Sequence, residues 1–268
     1  MDIDTIAAAA EQADGATPLD EATWLTLRHH PDRVRRWERE QGFALLIGAE
    51  LTLVVHPEAR RHGVGGELLG EVLASYDGEL AAWSHGDHPA AAALARDHDF
   101  DRVRELWVMR RPGELPLGEV PARAGVTIRG FEPGDEAELV RVNAAAFAAH
   151  PEQGAMDADN LAERMGQEWF DPAGLLVAVD GDRMLGFHWT KRHSPTLGEV
   201  YVVGIDPAAQ GGGLGKALTL AGLHHLADGG AREVLLYVES DNAPAIAVYS
   251  GLGFGHAGQD THVMYRRA

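Results

Sequence analysis

Apolar positions along this chain fall into two rhythms. Residues 200–205 (VYVVGI) form a β-branched and aromatic run, the pattern of a buried strand, and Asp206-Pro207 ends it because proline cannot donate to a sheet ladder. A second such strand is predicted at 233–239 (EVLLYVE), and 175–179 and 183–189 form a hairpin about the turn Asp180-Gly181-Asp182. Shorter strands are expected at 126–129 and 261–266. Helical spacing appears in Leu214, Leu218, Leu220 and Leu223, which predicts a helix over 214–227, and in Leu139, Val140, Val142 and Phe147, which predicts one over 135–149. A further helix is expected at 160–168, a loop at 150–154, and a short helix at 243–250 capped by Ser240-Asp241-Asn242.

The pattern of the first half repeats that of the second. Leu53-Val54-Val55-His56-Pro57 recurs as Val203-Gly204-Ile205-Asp206-Pro207, and the segment from Arg60 to Gly65 recurs from Gln210 to Gly215, both at an offset of 150 residues. Each loop is followed by a helix (67–76; 214–227), a strand (80–83; 233–238), a short helix ending near Phe100 or Phe254, and a final strand (104–110; 261–266). The fold class is therefore α/β with a mixed sheet, as two tandem copies of one unit. The Pro- and Gly-rich segment 111–121 supplies the boundary, giving a first domain over 1–111, a linker over 112–124 and a second domain over 125–268. The first copy is shortened on this reading. An Arg-rich helix is expected around 31–41, and only 42–49 then remains for a single strand before the loop strand, so its sheet should be smaller.

Composition narrows the function. The chain has 268 residues, no cysteine and a formal charge of −18. Disulfides, thiol nucleophiles and Cys-based metal sites are excluded, and the 14 histidines show no metal spacing. The acidic balance argues against nucleic-acid and anionic-membrane partners. No apolar run approaches the roughly 18 residues of a membrane span, and the start lacks a basic signal sequence. A cytoplasmic, monomeric protein is the expectation. Lysine occurs only at 191 and 216.

The loop Gln210-Gly211-Gly212-Gly213-Leu214-Gly215 between strand and helix is suited to a phosphate or pyrophosphate, because helix-start amides are unpaired and carry partial positive charge. A Walker loop is rejected: Gln210 stands where its first glycine should be and Ala217 where its hydroxyl should be. The glycine spacing also fails the dinucleotide fingerprint. Gln210-x-x-Gly213-x-Gly215, followed by Asn242, a short helix and Tyr249 before Gly253-Phe254, resembles the acyl-CoA signature of the GNAT-type N-acetyltransferases. The fold implied is two tandem GNAT domains.

Acyl transfer to an amine needs a base for the ammonium, a backbone amide to polarise the thioester and an acid for the departing thiolate. Glu199 can be the base, Val203 can offer the amide and Tyr249 can be the acid, its phenol being neutral at pH 7. Each has a blander reading. Glu199 could be a solvated strand start, Tyr249 a core aromatic, Tyr237 core or pocket wall, and Glu152 a helix cap. Lys216 sits where a phosphate would lie. His188 and Trp189 fit strand packing and His224-His225 a surface. In the first copy the offset places Ala49 at the glutamate position and Ala95 at the tyrosine position, so that copy should be catalytically degenerate.

HPEQG at 150–154, EWFDP at 168–172, GFHWTK at 186–191, GEVYVVGIDPAAQ at 198–210 and LLYVESDN at 235–242 make the resemblance narrower: they are similar to the tandem mycothiol synthase family, with LVVHP at 53–57 and ARRHGVG at 59–65 matching in the first half. The resemblance implies acetyl transfer from acetyl-CoA to the cysteinyl amine of a Cys–glucosamine–inositol conjugate, with no metal. It implies substrate contacts at Glu21, Glu152, Lys191, Glu199 and Tyr237. For acetyl-CoA it implies Val203, Gly204 and Ile205; Gln210, Gly211, Gly212, Gly213, Leu214, Gly215 and Lys216; and Asn242, Ala243, Pro244, Ala245, Ile246 and Ala247. A second acetyl-CoA site is implied at Leu53, Val54 and Val55 with Arg61, His62, Gly63, Val64, Gly65 and Gly66. Acetyl transfer to another small amine, or a non-catalytic acetyl-CoA sensor, are the alternative readings.

Overall fold

The computed structural model describes residues 1–148 and 151–268, with backbone only at 151 and 152. In chain order the elements are α1 (Ile3–Asp14), α2 (Glu21–His29), β1 (Val34–Arg39), β2 (Gly42–Ile47), β3 (Glu50–Val55), α3 (Val64–Ser75), β4 (Leu80–Ser84), α4 (Pro89–Asp97) and β5 (Asp101–Pro112). They continue as β6 (Thr127–Gly130), α5 (Glu136–Ala146), α6 (Pro151–Gly154), α7 (Ala158–Met165), β7 (Leu175–Asp180), β8 (Arg183–Arg192), β9 (Leu197–Ile205), α8 (Leu214–Asp228), β10 (Glu233–Glu239), α9 (Ala243–Gly251) and β11 (Gly255–Arg267). Two compact units form, and each takes in strand ends that differ from a division at 112–124. Unit 1 is Met1–Trp107 with Glu239–Asp241 and Ala257–Ala268; unit 2 is Val108–Val238 with Asn242–His256.

In unit 1, β1, β2 and β3 pair antiparallel, β3 pairs parallel with β4, and β11 closes on β4 through Val263↔Ser84 to Arg267↔Leu80. The helix expected around 31–41 is instead one 3-10 turn, Pro31–Arg33, followed by β1. Proline at the first position did start a helical turn, but Val34 is buried and Trp37 packs on the core while the arginines between them stay exposed. Charged residues suit an outer strand with one open edge. Residues 40 and 41 then turn the chain into β2, with Arg39 opposite Gly42. The first copy therefore has the hairpin thought to be missing. β2 is buried on both faces, as its unbroken apolar run requires. Ile6, Ala7 and Ala10 of α1 cover Phe43 and Leu45, while Leu68, Leu69 and Val72 of α3 cover Ala44 and Leu46.

Unit 2 repeats the plan. β6, β7, β8 and β9 pair antiparallel in that order, and β9 pairs parallel with β10. Leu139 and Val142 of α5 and Leu161 of α7 pack on Phe187, Trp189 and Val202. Leu214 and Leu218 of α8 pack on Ala178 and Leu185 from the other face. The loop expected at 150–154 is a single helical turn over its described part, Pro151–Gly154. Arg111, 2% exposed, fixes the start of the connecting segment: its guanidinium donates to the carbonyls of Leu252 (2.8 Å), Leu115 (2.8 Å), Pro116 (3.1 Å) and Pro112 (3.1 Å).

One contact ties α8 to the sheet. Gly222 lies inside α8, where glycine is about 1 kcal/mol worse than alanine by propensity. Its reason is His188 on β8: a Cβ at 222 would sit 2.0 Å from the ring's Cε1. The ring is fully buried, and Nδ1 lies 2.8 Å from the Leu218 carbonyl, to which it donates. Burial pushes the imidazole down to about 4.

Gly222→Ala should therefore destabilise unit 2 by roughly 1–3 kcal/mol despite the better helix propensity, as read from denaturant midpoints. The native state keeps His188 neutral at pH values where the unfolded chain binds a proton. Its contribution to stability is thus complete above about pH 6.5 and is lost progressively down to about pH 4, a change of about 3 kcal/mol. NMR titration of the His188 ring should show a midpoint near 4; one near the free-imidazole value would contradict this.

Candidate active site

The site in unit 2 begins where two strands part. β9 and β10 pair from Glu233↔Leu197 to Leu236↔Val200 and no further, although β9 runs on to Ile205 and β10 to Glu239. The parting coincides with a bulge: Thr190 faces Val200 and Trp189 faces Val202, so Tyr201 is the extra residue. Beyond it the Asp206 N–H donates to the Leu185 carbonyl at 2.9 Å. Amides alternate along a strand, so those of Val202 and Gly204 also point to β8, and those of Val203 and Ile205 point into the gap beside β10. An extended, amide-bearing ligand can pair with this edge as an added strand.

The end of β9 is held by charge. The Asp206 carboxylate, 8% exposed, accepts from Arg141 at 2.8 Å and from the Ala208 N–H at 2.9 Å, and the Arg141 guanidinium keeps its carboxyl below the usual range. The loop then turns through Gly211 (φ 82°) and Gly213 (φ 74°), left-handed conformations that glycine adopts without strain. Gly213 caps α8, so the first-turn amides from Leu214 face outward without a side-chain cap. Lys216 is exposed in that turn, Leu214 is buried, and Gln210 reaches back to the Ile205 carbonyl at 3.5 Å. Arg123, which the sequence reading did not single out, lies against the loop: it donates to the Ala209 carbonyl at 3.3 Å, and a Cβ at Gly212 would sit 2.9 Å from its Nη1. Asn242 caps α9 by accepting from the Ala245 N–H at 3.2 Å, and Ala243, Pro244 and Ala247 are exposed on the first turns with Ala245 and Ile246 half-buried. Loop, open helix start and free strand edge together suit the pyrophosphate and extended arm of an acyl-CoA.

Four polar side chains, with Leu235 among them, share one face of β8, β9 and β10. Lys191 is opposite Glu199, and Glu199 is opposite Leu235, so these point the same way, as does Tyr237 two residues along. Tyr201 joins them through the bulge. Tyr237 is 40% exposed and so is not part of the core. The Lys191 ammonium lies 4.6 Å from the Trp169 ring centre and 5.1 Å from that of Tyr201, and Arg164 donates to the Tyr201 hydroxyl at 2.6 Å. Glu199 is not a solvated strand start. Its side chain is 6% exposed, and one oxygen lies 2.6 Å from Nε2 of His193. Tyr249 is half-buried against Phe254, and desolvation pushes its phenol up to about 12. His188 and Trp189 pack in the core as expected, whereas His225 meets Asp171 at 3.1 Å and His224 the Gly118 carbonyl at 2.9 Å. The side chain of Glu152 lies outside the described residues.

Unit 1 builds the same gap, with Ala49 and Ala95 where the repeat places Glu199 and Tyr249. β3 and β4 pair only at Glu50↔Ala81 and Leu51↔Ala82, and the His56 N–H donates to Gln41, which turns the Leu53 and Val55 amides into the opening. A cavity of about 680 Å³ lies there, lined in part by Leu53, Val54, Val55, Arg61, Gly63, Gly65 and Gly66. Val64 instead packs towards Gly42, and His62 is exposed. Arg60 makes a bidentate pair with Asp14 at 2.6 and 2.7 Å, so its charge is already matched. Glu21 is the first residue of α2, half-buried, behind the cap Asp20. Among the described residues no three His, Asp or Glu side chains are grouped to hold a metal, and no helix is long and apolar enough to cross a membrane.

His193, Trp169, Tyr201, Arg164 and Arg123 are what sequence reading missed. Only His193 left a local signal: it opens the short turn between the strands that carry Lys191 and Glu199.

Comparison with known proteins agrees with this geometry. Residues 141–254 match the acetyltransferase (GNAT) family. A mycothiol acetyltransferase from Nocardioides sp. is 64% identical, over 98% of this chain and 95% of its own length. Another from Actinosynnema mirum is 51% identical, over 94% and 91%. Among solved structures, a tandem GNAT protein of the clavulanic acid pathway has a TM-score of 0.72 at 21% identity, covering 98% of this chain and 92% of its own. A GCN5-related N-acetyltransferase from Sphaerobacter thermophilus has a TM-score of 0.69 at 21% identity, covering 98% and 90%. With identity of this order sustained from end to end, the chain belongs to the mycothiol acetyltransferase family within the GNAT acetyltransferases.

Proposed function

We propose that this chain transfers the acetyl group of acetyl-CoA to the cysteinyl amine of the Cys–glucosamine–inositol precursor of mycothiol, and that unit 2 performs the chemistry. The observation that carries the assignment of residues is the shared face. Lys191, Glu199 and Tyr237 line one side of the sheet beside the point where β9 and β10 part. A polyhydroxylic acceptor offers many hydroxyls, and an ammonium and carboxylates are suited to bind them. Glu21 and Glu152 belong to the same proposed set of acceptor contacts.

Each group has one task. Glu199 takes a proton from the acceptor ammonium, directly or through water, leaving the neutral amine to attack. The Val203 amide donates to the thioester carbonyl as negative charge gathers on its oxygen. Tyr249 donates its phenolic hydrogen to the departing sulfur. With its phenol near 12 it is a weaker acid than a thiol, so this donation accompanies C–S cleavage, and the phenol regains its proton from the new amide nitrogen. Val203, Gly204 and Ile205, the loop from Gln210 to Lys216 and the start of α9 from Asn242 to Ala247 hold acetyl-CoA. Leu53–Val55 and Arg61–Gly66 are the proposed second site in unit 1, where Ala49 and Ala95 cannot exchange a proton. The same reading takes the protein as a cytoplasmic monomer; a charge of −18 disfavours nucleic acid and anionic membranes.

Turnover is measured as CoA release with the desacetyl acceptor. Glu199→Gln and Tyr249→Phe should each lower kcat by about 10²–10⁴ while the KM for acetyl-CoA stays near the wild-type value. Tight acetyl-CoA binding with no acceptor-dependent release by the wild type would point to the sensor instead. Turnover with other small amines but not this one would point to a different acceptor.

A further inference from the structure

The expected base has a partner that the repeat and the motifs did not reveal. Glu199 is a carboxylate almost withdrawn from water, and such a group needs hydrogen-bond donors to remain charged. Its Oε2 faces Nε2 of His193 at 2.6 Å, whose ring is 35% exposed. The ring is placed by its turn. The His193 N–H donates to the Leu197 carbonyl at 3.0 Å and the Ser194 N–H to the same oxygen at 3.3 Å. Ser194 Oγ accepts from the Thr196 N–H at 3.2 Å and the Leu197 N–H at 3.0 Å. Glu199 follows two residues later on β9, so this short closed turn fixes ring and carboxylate relative to each other.

The other charged groups on this face have contacts of their own. Lys191 of β8, opposite Glu199, has its ammonium over Trp169 and Tyr201; Arg164 of α7 is bonded to the Tyr201 hydroxyl. From β10 the residue opposite is the apolar Leu235, with the phenol of Tyr237 two positions on. His193 is thus the donor placed on the carboxylate itself.

Resting on the assignment of Glu199 as base, we infer that His193 is its positioning residue: Nε2–H donates to Oε2 and leaves Oε1 free to receive the proton of the acceptor ammonium. The balance is simple. The ammonium N–H bond breaks, its proton goes to Oε1, and the freed nitrogen lone pair forms the bond to the thioester carbon. Oε1 then returns the proton to water, while His193 keeps its Nε2 proton throughout.

The test combines His193→Ala, His193→Gln and Glu199→Gln in the full chain. His193→Ala should lower kcat by roughly ten- to a hundredfold, the scale of one hydrogen bond to a charged group, with an unchanged KM for acetyl-CoA and an unchanged melting temperature. The acid limb of its kcat/KM profile should move to higher pH, because the carboxylate has lost its donor. His193→Gln restores a neutral donor and should recover much of kcat and return the limb towards lower pH. In the protein without substrates, a strongly downfield Nε2–H resonance should be present and should vanish in Glu199→Gln. Wild-type kcat and pH profile in His193→Ala, with Glu199→Gln inactive, would overturn this inference alone. Full turnover by Glu199→Gln would overturn the base assignment and the inference with it. Equal loss in both His193 variants with an unmoved acid limb would reduce the residue to a structural role and overturn the proposal.

Discussion

The parting of β9 from β10 is the constraint on which the functional architecture of unit 2 depends. A parallel pair that continued past Val200 and Leu236 would satisfy the Val203 and Ile205 amides internally and close the edge to any ligand. Pairing with β10 ends at the bulge at Tyr201, and beyond it the strand stays paired with β8 while its other edge is released. Unpaired backbone amides are costly when dry, so this edge requires a polar occupant or water. The glycine loop lies at the far end of the same strand, and Glu199 lies just before the bulge. The open edge, the glycine loop and Glu199 are therefore set by one strand.

Anchoring matters because such an open edge is weakly restrained. Asp206 is gripped by Arg141 at the loop end of β9, and His188 and Gly222 lock β8 to α8 behind it. On the opposite face, Trp169, Trp189 and Tyr201 form a packed aromatic group with ring centres 5.1–5.8 Å apart, over which the Lys191 ammonium rests. Cation–π contact with these rings orients the ammonium of that lysine.

Unit 1 shows the same scaffold with different side chains at matching positions. It keeps the limited parallel pairing, the left-handed glycine at the helix start and a cavity, yet Ala49 and Ala95 stand where the repeat places Glu199 and Tyr249 in unit 2. The Arg60–Asp14 pair consumes a charge that the loop alone would offer to a phosphate.

The glycine loop, the repeat at an offset of 150 residues, the strands 200–205 and 233–239 and the candidates Glu199 and Tyr249 were legible in the sequence, because each rests on local periodicity or on residue types with few alternative uses. By sequence β1 reads as helix, since arginine favours helix and a proline start favours a helical turn; only pairing with β2 decides it as a strand. The His193–Glu199 contact, the aromatic seat of Lys191 and the approach of Arg123 to the loop were not legible. They depend on the register of β8 against β9, on the bulge at Tyr201 and on how a connecting segment returns to the loop. Sequence determined which groups could do the chemistry, because chemistry belongs to residue types. Tertiary structure alone decided which of them meet, because a bulge of one residue redirects every side chain that follows it.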